Sequence, residues 1–376
     1  MITIVFGYRN REFQRLFNCI TSLKKQKNKE FKVIVVDYGS EPENSKLVKD
    51  FVFDMGYLYI YNNTRGMLWN RSHALNTGIR IADTDFVITS DVDLIFPDNF
   101  INKMLEHLEN GTELHCNAYA LPKNFRQYEL LFKKQFRFKE RDLTALGLVQ
   151  GVKRDVLEEL HGFDEFYQIY GAEDTDLNLR LALTGLQTKW LPLKEVPIYH
   201  QWHPSSVKRT RSRIPLGWGK FIRHYMETNS QVLVRNKEGW GKVYTDSNRK
   251  ILQKDIRIFK ITDLSELPEM AIPFIFSEVL LSTPNGSCSK FFFVDKHQSN
   301  FKKSFIQNLV RRFNNLSDYF NLPLMFTSEM HYYGKYYSAY DIKDALIYCL
   351  VNNMHHIEDY FLSFTSSQVE LMVVKK

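Results

Sequence analysis

The run Phe86-Val87-Ile88-Thr89-Ser90-Asp91-Val92-Asp93-Leu94-Ile95-Phe96 constrains this chain more than any other stretch. Its apolar, β-branched opening reads as a buried strand. Two acids spaced one apart end it, and apolar residues then resume. A period of two puts Asp91 and Asp93 on one side of the strand's carboxyl end, where open α/β sheets bind their ligands. Carboxylates buried beside a hydrophobic strand are costly unless a cation or hydrogen-bond donors compensate them. A divalent metal that also holds a phosphate meets that demand, and hard oxygen ligands suit Mg²⁺ or Mn²⁺. A bare pair of spaced acids is more often a solvated strand end, so the reading rests on what the rest of the chain supplies.

Around this run, strands alternate with helices. Ile2–Phe6, Phe31–Val36 and Tyr57–Tyr61 read as strands. Helices are expected from Phe13, Leu16, Phe17, Ile20 and Leu23 at helical spacing, over Glu43–Met55 and over Asn70–Ala82. That alternation implies βαβ units and an α/β fold, with a mostly parallel sheet covered on both faces. Arg9 and Arg11 follow the first strand, where guanidinium groups can grip a diphosphate or simply solvate the loop. Asp37, ending the second strand, can accept hydrogen bonds from a base or ribose, or start the turn before Gly39.

Two later blocks carry chemistry. In Tyr170-Gly171-Ala172-Glu173-Asp174-Thr175-Asp176, three acids crowd the first turn of a helix. Capping and the helix dipole account for one or two acids there, and a carboxylate fixed at that place can also act as a general base. In Tyr199-His200-Gln201-Trp202-His203, two histidines three apart end a strand, a spacing compatible with metal ligation. The basic loop Lys208–Arg213 follows. Beyond Trp218, helices are expected near Lys220–Asn229, Lys302–Phe320 and Tyr340–Asn353. The aromatic groups Phe291–Phe293 and Tyr332, Tyr333, Tyr336 and Tyr337 read as burial or sugar stacking.

The net charge of +7 fits an anionic partner such as a nucleotide, a lipid diphosphate or a membrane surface. Four widely spaced cysteines, without a C-x-x-C pair, read as reduced thiols of a cytoplasmic protein. The longest apolar stretch, Met270 to Leu281, is broken by Pro273 and Glu278 and is too short to span a bilayer. The amino terminus reads as a strand rather than a signal peptide.

Taken in order, these blocks resemble the GT-A-fold glycosyltransferases, above all the β-1,4-galactosyltransferase family and related bacterial polysaccharide glycosyltransferases. Tyr8-Arg9-Asn10-Arg11 resembles that family's F-R-N-R nucleotide loop, and Asn70-Arg71-Ser72…Leu75-Asn76-Thr77-Gly78 its N-R-A…L-N-x-G helix. Ser90-Asp91-Val92-Asp93-Leu94-Ile95 is similar to its S-D-V-D-L-I metal motif. Gly162-Phe163…Tyr170 to Asp176 is similar to the G-F…W-G-G-E-D-D-D acceptor block. His200 and His203 stand where the family has a Met and a His, both metal ligands.

The resemblance implies a GT-A catalytic domain over residues 1–215, with a mainly helical region of unassigned role over 216–376. It also implies Mn²⁺ or Mg²⁺ held by Asp93 and His203 with His200, and a UDP-sugar contacted by Tyr8, Arg9, Arg11, Asp37, Arg71, Asp91 and Val92. Asp174 is then the base that activates the acceptor hydroxyl, with Glu173 binding sugar hydroxyls. The implied reaction is an inverting transfer, with Gal or GalNAc favoured, to a glycan or lipid-linked acceptor in polysaccharide synthesis. The expected setting is cytoplasmic, with peripheral contact at the inner membrane face and no nucleic-acid partner. Tyr170 for tryptophan and Ala172 for glycine depart from the pattern, leaving acceptor and donor sugar open. Retaining transfer, as in polypeptide N-acetylgalactosaminyltransferases, and an inactive sugar-nucleotide-binding protein remain alternatives. A nucleotidyltransferase fits less well, because Gly7-Tyr8-Arg9 is a poor glycine-rich phosphate loop.

Overall fold

A computed structural model describes residues 1–125, 128, 131, 146–204, 214–267, 269–295 and 337–376. The loop Lys208–Arg213, the expected helix over Lys302–Phe320 and the positions Tyr332, Tyr333 and Tyr336 lie outside these residues. The chain divides into two compact units, 1–249 and 250–376.

The first unit opens with β1 (Ile2–Tyr8), α1 (Phe13–Lys24), β2 (Phe31–Tyr38), α2 (Pro42–Asp54), β3 (Leu58–Asn62), α3 (Arg71–Ile81) and β4 (Phe86–Ser90). It continues with β5 (Leu94–Ile95), α4 (Phe100–His107), β6 (Thr112–Cys116), β7 (Ala118–Ala120), β8 (Val149–Lys153) and α5 (Arg154–Glu159). Then come α6 (Glu173–Leu183), β9 (Gln187–Leu191), β10 (Ile198–His200) and α7 (Trp218–Thr228). Seven strands form the main sheet in the order β3-β2-β1-β4-β8-β6-β9. The β1–β2, β2–β3, β1–β4 and β6–β9 pairs are parallel, while β8 runs antiparallel to β4 and β6.

The β1 sequence shows why this sheet is covered twice. Ile4, Phe6 and Tyr8 point into one apolar cluster with Leu16, Ile20 and Leu23 of α1. Val5 points into the opposite cluster with Ala74, Leu75 and Ile79 of α3. Each fully buried aliphatic side chain contributes roughly 1.5–3 kcal/mol, so near-continuous apolar strands hold the layers together. A second, three-stranded sheet, β5-β10-β7, lies past the end of β4.

The domain boundary expected at residue 215 falls instead at 249. Buried polar contacts account for the difference. Arg235 lies 3.1 Å from Asp176 and 3.4 Å from Asp164, and Tyr225 of α7 donates to Asp164 at 2.9 Å. The Arg180 Nε bonds Asp176 at 2.7 Å. All four charged residues are buried, and losing one partner of such a set costs about 3–5 kcal/mol, so residues 218–249 belong with the first unit.

The second unit contains β11 (Ile258–Asp263), α8 (Ile272–Ser282), β12 (Cys288–Val294), α9 (Ala339–Asn352), β13 (Ile357–Phe364) and β14 (Gln368–Lys375). Alongside its helices it has a four-stranded sheet, β11-β12-β14-β13, which the sequence analysis did not anticipate. Phe291 and Phe293 are buried in β12, and Phe276 of α8 stacks on Phe291 at 5.0 Å, so this aromatic run serves packing. Among the described residues no helix is long and apolar enough to cross a membrane. All four cysteines are buried, unpaired thiols.

Candidate active site

The strand β4 stops at Ser90, and the two acids occupy the turn that follows. Pairing between β5 and β10 places His200 opposite Leu94, the residue after Asp93. Gln201 locks this register. Its backbone N–H donates to the Asp93 carbonyl at 2.9 Å, and its amide bridges Asn18 and the Arg15 carbonyl of α1. His200 Nε2 thus lies 3.4 Å from Asp93 Oδ1 and His203 Nε2 lies 3.1 Å from Oδ2, one ligand atom of each residue falling within 4.8 Å of the others. The Asp93 Oδ1 atom is buried and accepts no hydrogen bond. A buried carboxylate oxygen facing two imidazoles, with a hydrogen bond unfilled, suits a divalent cation such as Mn²⁺.

A second group of acids lies beside this cluster, gathered by Arg71. Asn70 caps α3 by accepting from the His73 N–H at 2.9 Å, which sets Arg71 at the first helical position. The Arg71 guanidinium donates to Asp174 Oδ1 at 2.6 Å, to Asp91 Oδ1 at 3.1 Å and to the Gly147 carbonyl at 2.9 Å. Glu173 Oε1 is 3.8 Å from it. One guanidinium therefore joins the turn that carries Asp91 and Asp93 to the start of α6. At that start Ala172 has φ 71°, a left-handed conformation that favours glycine and costs a non-glycine residue roughly 1–2 kcal/mol.

Gly147 has φ +83°, and a Cβ there would overlap the Asp174 carboxylate. Gly147→Ala is expected to displace Asp174 and the Arg71 bridge, lowering turnover by about 100-fold, since displacements near 1 Å have that effect. Turnover measured on the folded variant tests this, and wild-type turnover would show that Asp174 needs no such seat.

The electrostatics follow the geometry. Burial raises the Glu173 carboxyl to about 7, with Asp174 repelling it and Arg71 opposing the rise. Burial in the pocket also raises Asp91 to about 6; Arg71 opposes the rise and Asp93 adds to it. At Asp93 burial acts upward too, but His200 and His203 outweigh it and hold the carboxyl well below the usual range. The Asp93 hydrogen bond raises the His203 imidazole.

A Glu173 pKa raised to about 7 makes the folded chain hold a proton that the unfolded chain releases earlier. This group's contribution to stability is therefore full below about pH 4.5 and is lost as pH rises towards 7. Glu173→Gln is expected to flatten that slope and, above pH 7, to stabilise the protein by on the order of 3 kcal/mol. Urea midpoints at pH 5 and pH 8 check this, and an unchanged slope would refute it.

Among the other residues expected at the site, Arg11 projects its charge onto both Asp91 and Asp93. Arg9 donates to the Met67 carbonyl at 2.8 Å, which pins the first loop. Three expectations are corrected. Tyr8 is fully buried, its hydroxyl 2.7 Å from the Arg11 carbonyl and 2.8 Å from the Asn44 side-chain amide, so it braces the loop instead of facing a ligand. Asp37 is also fully buried, accepting from the Ser40 N–H and the Tyr59 hydroxyl, both at 2.8 Å; it closes the turn. The Val92 side chain packs in the core, which leaves only its backbone for a ligand. Sequence reasoning missed Gly147 and Gln201. Gln201 had a visible signal, a polar residue between two candidate ligands. Gly147 had none beyond preceding an apolar run.

Residues 3–152 match the model of glycosyl transferase family 2, and residues 130–203 match that of the N-terminal domain of galactosyltransferase. The chain carries a glycosyltransferase domain. Its mostly parallel sheet with flanking helices is the GT-A arrangement. The chain is similar to the uncharacterized glycosyltransferase YfnE of Bacillus subtilis (strain 168), at 25% identity over 264 residues, 54% of this chain and 65% of that protein. It is also similar to beta-1,4-galactosyltransferase 4 of Homo sapiens, at 28% identity over 146 residues, 38% of this chain and 37% of that protein. This chain thus spans just under two thirds of the first relative's length and little more than a third of the second's. Among solved structures, mannosyltransferase PcManGT from Pyrobaculum calidifontis, in complex with GDP-Man and Mn²⁺, aligns at 20% identity with a TM-score of 0.39, covering 51% of this chain and 54% of its own.

Proposed function

We propose that this glycosyltransferase domain moves a sugar, with Gal or GalNAc favoured, from a UDP-sugar to a hydroxyl of a glycan or lipid-linked acceptor, with inversion and with the help of a divalent metal. One observation carries the reading: Arg71 joins Asp91, two residues from the Asp93–His200–His203 cluster, to Asp174 and Glu173. Groups suited to a leaving diphosphate and groups suited to an incoming alcohol thereby share one pocket. The human relative's name supports galactosyl transfer.

Asp93, His200 and His203 would hold Mn²⁺ or Mg²⁺, which neutralises charge building on the departing diphosphate. Arg11, with Arg9 behind it, grips the diphosphate, and Asp91 holds the ribose or supports the metal ligands. Glu173 positions sugar hydroxyls. Asp174 accepts the proton of the acceptor hydroxyl as its oxygen bonds to the anomeric carbon. The bond from that carbon to UDP breaks, and its electron pair leaves on the phosphate oxygen. Attack from the face opposite UDP inverts the centre. Holding both substrates in line contributes on the order of 7–11 kcal/mol.

Incubating the protein with UDP-Gal, UDP-GalNAc, UDP-Glc or UDP-GlcNAc and Mn²⁺ should release UDP with at least one donor. No release from any donor would overturn the reading. The product's anomeric proton coupling, read by NMR, should report inversion, and retention there would replace the inverting mechanism.

A further inference from the structure

We propose that Glu113 and Asn178 form a buried strut that sets the rotation of α6, and with it the aim of Asp174; this rests on the glycosyl-transfer reading above. Glu113 is 1% exposed, on the strand next to the sheet's edge strand β9. On β6 it shares a face with His115, while Leu114 and Cys116 point into the apolar core. Burying a carboxylate among strands is costly unless its oxygens are satisfied, and these are. His115 Nε2 lies 2.8 Å from Oε1, and the Gln150 amide of β8 donates to the same oxygen. The Asn178 amide donates to Oε2 at 2.7 Å, and the Thr188 hydroxyl of β9 reaches it at 3.4 Å. One carboxylate thus ties β6, β8 and β9 to α6. The His115 imidazole beside it, with the Gln150 and Asn178 amides, outweighs burial and holds it below the usual carboxylate range.

The helix partner is what gives the cluster a functional meaning. Asn178 lies one turn after Asp174, so the two share a helix face. On the apolar side Leu177 and Leu181 fix α6 against the core, and Asp176 and Arg180 tie it to Arg235 and the loops around Leu160 and Gly162. Those contacts grip one side of the helix. The Glu113–Asn178 bond grips the other, on the Asp174 face, and so aims the carboxylate at Arg71 and the acceptor. An apolar pair at these positions would be as stable or more so, but it would not fix direction.

The test is Asn178→Leu, of similar volume and without a donor. Expected are a turnover about 10- to 100-fold lower, an unchanged KM for the donor and unchanged Mn²⁺-dependent UDP binding, with a lowered melting temperature because the buried Glu113 Oε2 loses a donor. Asn178→Gln, which keeps the amide donor, should return turnover to within about threefold of wild type. Hydrogen exchange supplies a readout independent of activity: amides of residues 173–183 should exchange faster in Asn178→Leu, with the β1–β4 amides unchanged. Wild-type turnover, a loss of UDP binding in step with turnover, or unaltered exchange in α6 would each overturn the strut. If the wild-type protein releases no UDP from any donor, the glycosyl-transfer reading fails instead, and the exchange experiment alone decides whether the strut holds α6.

Discussion

Asp174→Asn should bind UDP with the affinity of the wild-type protein and transfer sugar about 10³- to 10⁴-fold more slowly, the upper range for a general base. An amide is nearly isosteric with the carboxylate and still accepts a hydrogen bond from Arg71, so the pocket should keep its shape. It cannot take a proton from an attacking hydroxyl. In the resting protein Arg71 holds Asp174 at 2.6 Å, so the carboxylate is engaged before substrate arrives. Under the proposed mechanism an arriving diphosphate would compete for the same guanidinium and free the carboxylate. Calorimetry of UDP binding beside turnover with the best donor tests the assignment. Wild-type turnover in Asp174→Asn would remove Asp174 as the base and shift attention to Glu173, whose carboxyl near 7 is tuned for proton exchange at neutral pH.

The first half of the fold was legible because its signals are local. The strand Phe86–Ser90 and the helix Arg71–Ile81 with its Asn70 cap stand within a residue or two of where periodicity puts them. Parallel central strands leave continuous apolar runs that no helix period mimics. The antiparallel β8 and the edge strand β9 were harder, since Gln150, Thr188 and Lys189 break the apolar pattern. Gln150 and Thr188 serve the Glu113 cluster, a long-range arrangement with no short-range trace, while Lys189 pairs with Glu109 at the surface. The sheet of the second unit was hidden for a similar reason: β11 is an edge strand, exposed along most of its length, and shows no buried alternation.

At the site, residue types were legible and orientations were not. The spacing of His200 and His203 pointed to ligation, and pairing through β10 brings them to Asp93. Tyr8 and Asp37 sit at strand ends where ligands bind, yet their polar atoms close loops from within. A hydroxyl or carboxylate at a strand tip can face either way, and only the partners settle which. Arg71 was read as a phosphate contact, whereas its bonds in the structure go to three acids and a carbonyl. Asp176 shows the converse. It lies among the acids of one helix turn, but it faces Arg180 and Arg235 and works in packing.

Asp93→Ala and His203→Ala should each abolish Mn²⁺-dependent UDP binding and lower transfer at least as far as Asp174→Asn does. Outer-shell changes alone lower metal affinity about 10- to 100-fold, and these variants remove proposed ligands outright. In the wild-type protein, Mn²⁺ and UDP together should raise thermal stability, by about 2.7 kcal/mol when ligand is at 100 times its Kd. Neither variant should show that gain. Without ligand, Asp93→Ala removes a carboxylate that both imidazoles hold ionised, so the His203 imidazole should fall back towards its ordinary value, an NMR-visible shift. The two sites are separable because they fail differently: the metal variants lose nucleotide binding, whereas the base variant keeps it. UDP affinity that is the same with Mn²⁺ as with EDTA, in the wild-type protein, would dismiss the metal. Transfer would then have to draw its charge neutralisation from Arg11 and Arg71 alone.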